Sequence, residues 1–78
     1  MSDTIAKEID VRGQNCPMPV LRAKVALGEV EPGELVKVLA TDPFSVPDFE
    51  AFCAKTGHEL VDSGEQDGIF EFIIRRRS

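Results

Sequence analysis

A chain of 78 residues that is 42% hydrophobic can hold one modest core and little else, since a domain of that size buries only about 60% of the surface its unfolded form exposes. Nine basic residues against 14 acidic ones leave a formal charge of −5, which argues against a nucleic-acid binder, whose surface carries a basic face. The apolar runs are too short to span a bilayer, and Met1-Ser2-Asp3-Thr4 lacks the pattern of an export signal. We therefore expect a single domain over residues 1–78, monomeric and cytoplasmic, with both cysteines as free thiols.

Taken in order, Ile5 to Arg12 alternates Ile9 and Val11 with Glu8, Asp10 and Arg12, the period of a strand with one buried face, closed by Gly13. A helix follows. Val20, Ala23, Leu27 and Val30 make one apolar seam and Met18, Leu21 and Val25 a second, together a wide stripe suited to lying on a sheet. Arg22, Lys24 and Glu29 fall on its solvent side, Gly28 weakens the last turn, and Pro32-Gly33 stops it. Leu35 to Thr41 is nearly continuously apolar and rich in β-formers, as an interior strand is.

Asp42-Pro43 breaks that strand. Ser45 is a suitable N-cap, with Asp48 three residues on as a weak capping box and Pro47 tolerated in the first turn. Val46, Phe49, Phe52 and Cys53 share one face of the second helix, which Gly57 ends. His58 to Ser63 reads as a third strand, Glu65 to Gly68 as a hairpin turn, and Ile69 to Arg75 as the last strand. Phe70, Phe72 and Ile74 occupy one face of that last strand, with Glu71 and Arg75 on the other.

The order βαβαββ predicts an α/β (α+β) two-layer sandwich. Right-handed crossovers put both helices on one face of a four-stranded mixed sheet, in the order 1-2-4-3. Cys16, the Asp42 to Ser45 segment and the Glu65 to Gly68 turn then share one edge, and Arg75-Arg76-Arg77 leaves from the opposite edge.

Gly13-Gln14-Asn15-Cys16-Pro17-Met18-Pro19 is the stretch that carries chemistry. A thiol at a helix start faces unpaired backbone N–H groups and the positive end of the dipole, both of which favour the thiolate. Pro17 and Pro19 fit a first turn, where no N–H partner is lost. Arg12 and Arg22 add positive charge nearby if they point that way. No second cysteine lies close enough to make a Cys-X-X-Cys pair, so a one-sulfur carrier or covalent acceptor is favoured over a dithiol oxidoreductase.

The Cys16-Pro17-Met18-Pro19 motif resembles the Cys-Pro-X-Pro signature of the TusA family of small, SirA-like sulfur carriers. The resemblance covers nearly the whole chain. It extends to Asp10-Val11-Arg12-Gly13, Pro32-Gly33-Glu34, Asp42-Pro43 and the stretch from Phe52-Cys53 to His58-Glu59-Leu60. It implies that Cys16 accepts sulfane sulfur as a persulfide from a cysteine desulfurase or rhodanese-type donor and passes it to the cysteine of a downstream acceptor. Such a relay serves tRNA thiolation, sulfur oxidation or molybdenum-cofactor synthesis. A carrier of this kind is consumed and reloaded at each transfer, so the word enzyme fits it only loosely.

The remaining candidates read more simply. Cys53 is expected in the core, His58 at a strand edge away from Cys16, and the three arginines as a solvated terminus. Two cysteines and one histidine so spaced make no metal site, and no cofactor or direct nucleic-acid contact is expected. Asp42 is first a turn former before Pro43, and otherwise a partner contact or tuning charge. Phe44 is either a lid on the core or an exposed docking anchor. The rival readings are a protein- or RNA-binding regulatory module with Cys16 as a buried cap, and a redox sensor using Cys16 and Cys53.

Overall fold

The computed structural model describes residues 5–15 and 18–77. Its elements are β1 (Ile5–Asp10), α1 (Met18–Leu27), β2 (Leu35–Ala40), α2 (Ser45–Thr56), β3 (Glu59–Gln66) and β4 (Ile69–Arg75). They form the expected sheet, β1-β2-β4-β3. β1 runs parallel to β2, with Ile9 opposite Val38, and β4 runs antiparallel to both β2 and β3.

Alternation along the strands decides the two layers. Ile9 and Val11, Val36, Val38 and Ala40, and Phe72 and Ile74 are buried against the helices. From above, Ala23, Ala26 and Leu27 of α1, Val30 just beyond it, and Phe49 and Cys53 of α2 close the core. Phe49 and Phe72 stack with ring centroids 4.5 Å apart at its centre. On the uncovered face, Lys37 pairs with Glu71 at 2.9 Å and Arg75 with Glu59 at 3.2 Å, so the charged residues of β4 are neutralised across neighbouring strands.

Several local expectations are corrected. The second seam of α1 is not buried: Met18 is 44% exposed, Leu21 48% and Val25 62%. The helix rests instead on Pro19, Ala23, Ala26 and Leu27, small residues that bring its backbone close to the sheet and leave the other stripe outside. α1 also ends at Leu27, well before Pro32-Gly33. The N–H of Gly28 is shared between the carbonyls of Lys24 and Val25, and that of Glu29 turns back to Ala26, which winds the chain out of the helix.

Ser45 does not cap α2. Its hydroxyl donates to the carbonyl of Asp42 at 2.6 Å, and the helix begins at Ser45 itself without a side-chain cap. The third strand runs on to Gln66, and the hairpin turn is Asp67-Gly68 alone. Both residues have positive φ, 55° and 81°, the pairing that matches the twist of a two-residue hairpin. A register shift between Leu60 and Asp62 bulges β3 at its outer edge.

The arginine tail is not a free solvated terminus. Arg76 exchanges backbone hydrogen bonds with Gly33 and Glu34, and its guanidinium donates to the carbonyl of Val30. The guanidinium of Arg77 donates to the carbonyl of Thr56 at 3.1 Å. Arg77 thus places positive charge at the exit of α2, where the backbone carbonyls lack helical partners, and Arg76 engages a carbonyl of the turn that follows α1.

Candidate functional site

Parallel pairing of β1 and β2 sends both strands to the same end of the sheet, and the pairing of Ala40 with Phe70 sets the β3–β4 turn at that end too. The loop before α1 therefore lies beside the loop before α2, as the topology predicts. Two hydrogen bonds fasten them. The N–H of Val11 donates to the carbonyl of Leu39 at 2.8 Å, prolonging the ladder past β1. Beyond it the N–H of Gly13 donates to Oγ1 of Thr41 at 2.9 Å. Gly13 has a φ of +82° with open space where a Cβ would sit, so it is the backbone conformation and not crowding that calls for glycine.

The loop then turns on itself. The N–H of Gln14 donates to the carbonyl of Val11 at 3.1 Å, and that of Met18 to the carbonyl of Asn15 at 2.9 Å. Cys16 and Pro17 lie outside the described residues, but the residues on either side of them are hydrogen-bonded to each other. Pro19 is fully buried beneath the start of α1, where its missing N–H costs nothing.

The neighbouring loop is braced from within. One carboxylate oxygen of Asp42 accepts the N–H of Phe44 at 3.0 Å, and its carbonyl accepts both the N–H and the hydroxyl of Ser45. Ser45 is 1% exposed and roots this turn in the core. Asp42 is therefore the turn former the sequence favours. Phe44 is 68% exposed, which settles its two readings in favour of an outward ring.

Of the two arginines, one is paired and the other stands on the open side of α1. Arg12 forks onto Asp10, with Nε to Oδ1 at 2.9 Å and a second nitrogen to Oδ2 at 2.7 Å. That contact, with the N–H of Arg12 on the same carboxylate, holds the pKa of Asp10 down at about 2. The guanidinium is thus paired with a carboxylate that stays charged. Arg22 stands on the exposed side of α1, lining an open groove with Lys7, Ile9, Val25, Ala26 and Glu29 toward the β1 edge.

Cys53 sits in the core on α2, and burial pushes its thiol pKa up, away from the thiolate. His58 lies at the far end with the arginine tail. Among the described residues no group of three or more His, Cys, Asp and Glu side chains is placed to hold a metal ion, and no helix is long and apolar enough to cross a membrane.

Sequence reasoning missed Thr41 as the tie between the loops and Met18 and Leu21 as exposed neighbours of the motif. The parallel register could have found Thr41: with Asp10 opposite Leu39, a hydroxyl two residues on falls across from the Arg12-Gly13 turn.

The family model described as Sulfurtransferase TusA matches residues 7–76. A sulfur carrier protein TusA of Allochromatium vinosum is 49% identical over 70 residues, covering 90% of this chain and 92% of that protein. One from Pseudomonas aeruginosa is 37% identical over 78 residues, covering 100% and 99%. The crystal structure of a SirA-like protein from Desulfitobacterium hafniense superposes with a TM-score of 0.81 at 35% identity, over 92% of this chain and 99% of that one.

Proposed function

This chain belongs to the TusA sulfurtransferase family, and we propose that it is a sulfur carrier whose cargo is held as a persulfide on Cys16. The observation that carries the reading is the family match over residues 7–76, which takes in Cys16-Pro17-Met18-Pro19 whole. Relatives matched over nearly their full length carry the name sulfur carrier, so a binding module without sulfur chemistry is not favoured.

The chemistry needs no cofactor. The Cys16 thiolate attacks the outer sulfur of a donor persulfide; the new S–S bond forms as the donor's S–S bond breaks, and the donor cysteine leaves as thiolate. An acceptor's thiolate then attacks the outer sulfur of Cys16–S–S⁻, and Cys16 leaves as thiolate in turn. α1 begins at Met18, so its dipole and first-turn N–H groups favour both anions. Pro17 supports the reading as a rigid flank and Pro19 as a buried anchor, limiting what must be ordered on docking.

The donor is a cysteine desulfurase or rhodanese-type protein and the acceptor a protein cysteine thiol, meeting in the reducing cytoplasm. Phe44 and the Asp42 turn beside the motif are the contacts we assign to those partners. Incubation with a desulfurase and cysteine, or a rhodanese and thiosulfate, adds the mass of one sulfur atom. Reductant removes it, and Cys16→Ser never acquires it. Uptake by Cys16→Ser with unchanged stoichiometry overturns the assignment.

A further inference from the structure

We infer that Thr41 is a positioning residue for sulfur transfer, acting through the backbone of Gly13. The inference rests on the reading of Cys16 as the sulfur site and extends it to a residue on a different element. Past the end of the β1–β2 ladder, a side-chain bond joins the loop leading to Cys16 to the segment after β2: Gly13 N–H to Thr41 Oγ1, 2.9 Å, spanning 28 positions in sequence.

What stands behind Thr41 is rigid. It follows Ala40, which is fully buried in β2, and precedes Asp42, whose carbonyl and carboxylate are both engaged by the Phe44-Ser45 turn. What stands in front of it is short. Gly13 is three residues from Cys16, and Asn15 is bonded to Met18 across the motif. The hydroxyl of Thr41 thus fixes the backbone of Gly13 at the sheet end, three residues before Cys16 in sequence. A displacement of about 1 Å in a reacting group can cost a large factor in rate.

Gly13 and Thr41 are both exposed, so water replaces the lost acceptor when the hydroxyl is removed. Stability then changes little, and the consequence falls on loop position. This separates positioning from a general structural role.

The test compares Thr41→Val, which keeps the branched shape without the acceptor, with Thr41→Ser, which keeps the acceptor. Thr41→Ala repeats the deletion should valine disturb the fold. In the full chain, Thr41→Val speeds hydrogen exchange at the Gly13 amide, raises the pH midpoint for Cys16 alkylation by iodoacetamide, and slows persulfide loading from a desulfurase about fivefold, the effect of one net hydrogen bond. Thr41→Ser restores all three. Loading and alkylation at the wild-type level in Thr41→Val, with the Gly13 amide deprotected, overturn the role of Thr41 while leaving Cys16 as the sulfur site. Failure of Thr41→Ser to restore them does the same. Loading of Cys16→Ser instead overturns the carrier reading and this inference with it, so the two failures are distinct.

Discussion

The backbone N–H of Arg77 donates to Nδ1 of His58 at 2.9 Å, so the end of the chain is held by an imidazole that must stay neutral to accept it. Desolvation, then the charges of Arg76 and Arg77, push the pKa of His58 below its ordinary value. The ring of Phe52 lies against it from α2, centroids 5.8 Å apart.

A base with a depressed folded pKa binds fewer protons in the native state than in the unfolded one, so stability rises with pH across the gap. The contribution of His58 is therefore complete above its unfolded pKa of about 6.5 and is lost as pH falls through the lower folded value. Urea midpoints measured on either side of that window decline toward acid in the wild type. In His58→Gln, whose amide oxygen accepts without titrating, the decline over the same window is flattened. An equal slope in both proteins contradicts the assignment.

Glycine at position 57 serves two purposes. It closes α2 at a φ of +87° with its N–H on the carbonyl of Cys53, and a Cβ there would lie 2.9 Å from Cδ of Arg77. Gly57→Ala pays the left-handed strain, about 1–2 kcal/mol, and must also displace the arginine from Thr56. Gly64, in β3, has open space around it and no positive φ, so Gly64→Ala is neutral or slightly stabilising. Chemical denaturation of the two variants side by side checks the contrast.

Phe44 and Phe49 lie five residues apart and have opposite fates. Phe49 is fully buried on Phe72, and Phe49→Ala costs about 3–5 kcal/mol of stability. Phe44 is mostly exposed, so Phe44→Ala stays within about 0.5 kcal/mol of wild type. If its ring anchors a partner, that variant accepts sulfur from a small persulfide donor at the normal rate but is loaded by a desulfurase with a raised KM. An unchanged KM removes Phe44 from the docking surface.

The parts of this structure that were legible in the sequence are those set by periodicity and chain punctuation. Alternation in Ile9-Asp10-Val11 and Phe70 to Ile74 identified the buried faces, and the βαβαββ order with right-handed crossovers then left one sheet order to expect. Periodicity says which residues share a helix face but not which face is buried. Met18, Leu21 and Val25 continue the same apolar stripe as Val20, Ala23, Leu27 and Val30, yet close approach of α1 to the sheet buries the side that carries Ala23 and Ala26. The arginine tail misled for a related reason. Charge in a terminal run reads as solvation unless carbonyls at the exit of α2 and in the turn after α1, distant in sequence, are known to meet it there.

Cys53 supplies the last prediction, because two thiols in one small chain invite a disulfide reading. Cys53 packs in the core on the third turn of α2, and burial raises its pKa, so it is neither exposed nor ionised at neutral pH. Native protein treated with iodoacetamide is therefore modified once, and only unfolding reveals the second thiol. Cys53→Ala removes one buried sulfur, costs about 1–2 kcal/mol, and leaves persulfide loading unchanged. Cys53→Ser keeps the size but buries a hydroxyl, and is the less stable of the two unless that hydroxyl finds a backbone acceptor. A resolving or relay role for Cys53 would instead abolish sulfur release in both variants. Loss of release in Cys53→Ala, with its melting curve still cooperative, would show that the core thiol takes part in the transfer.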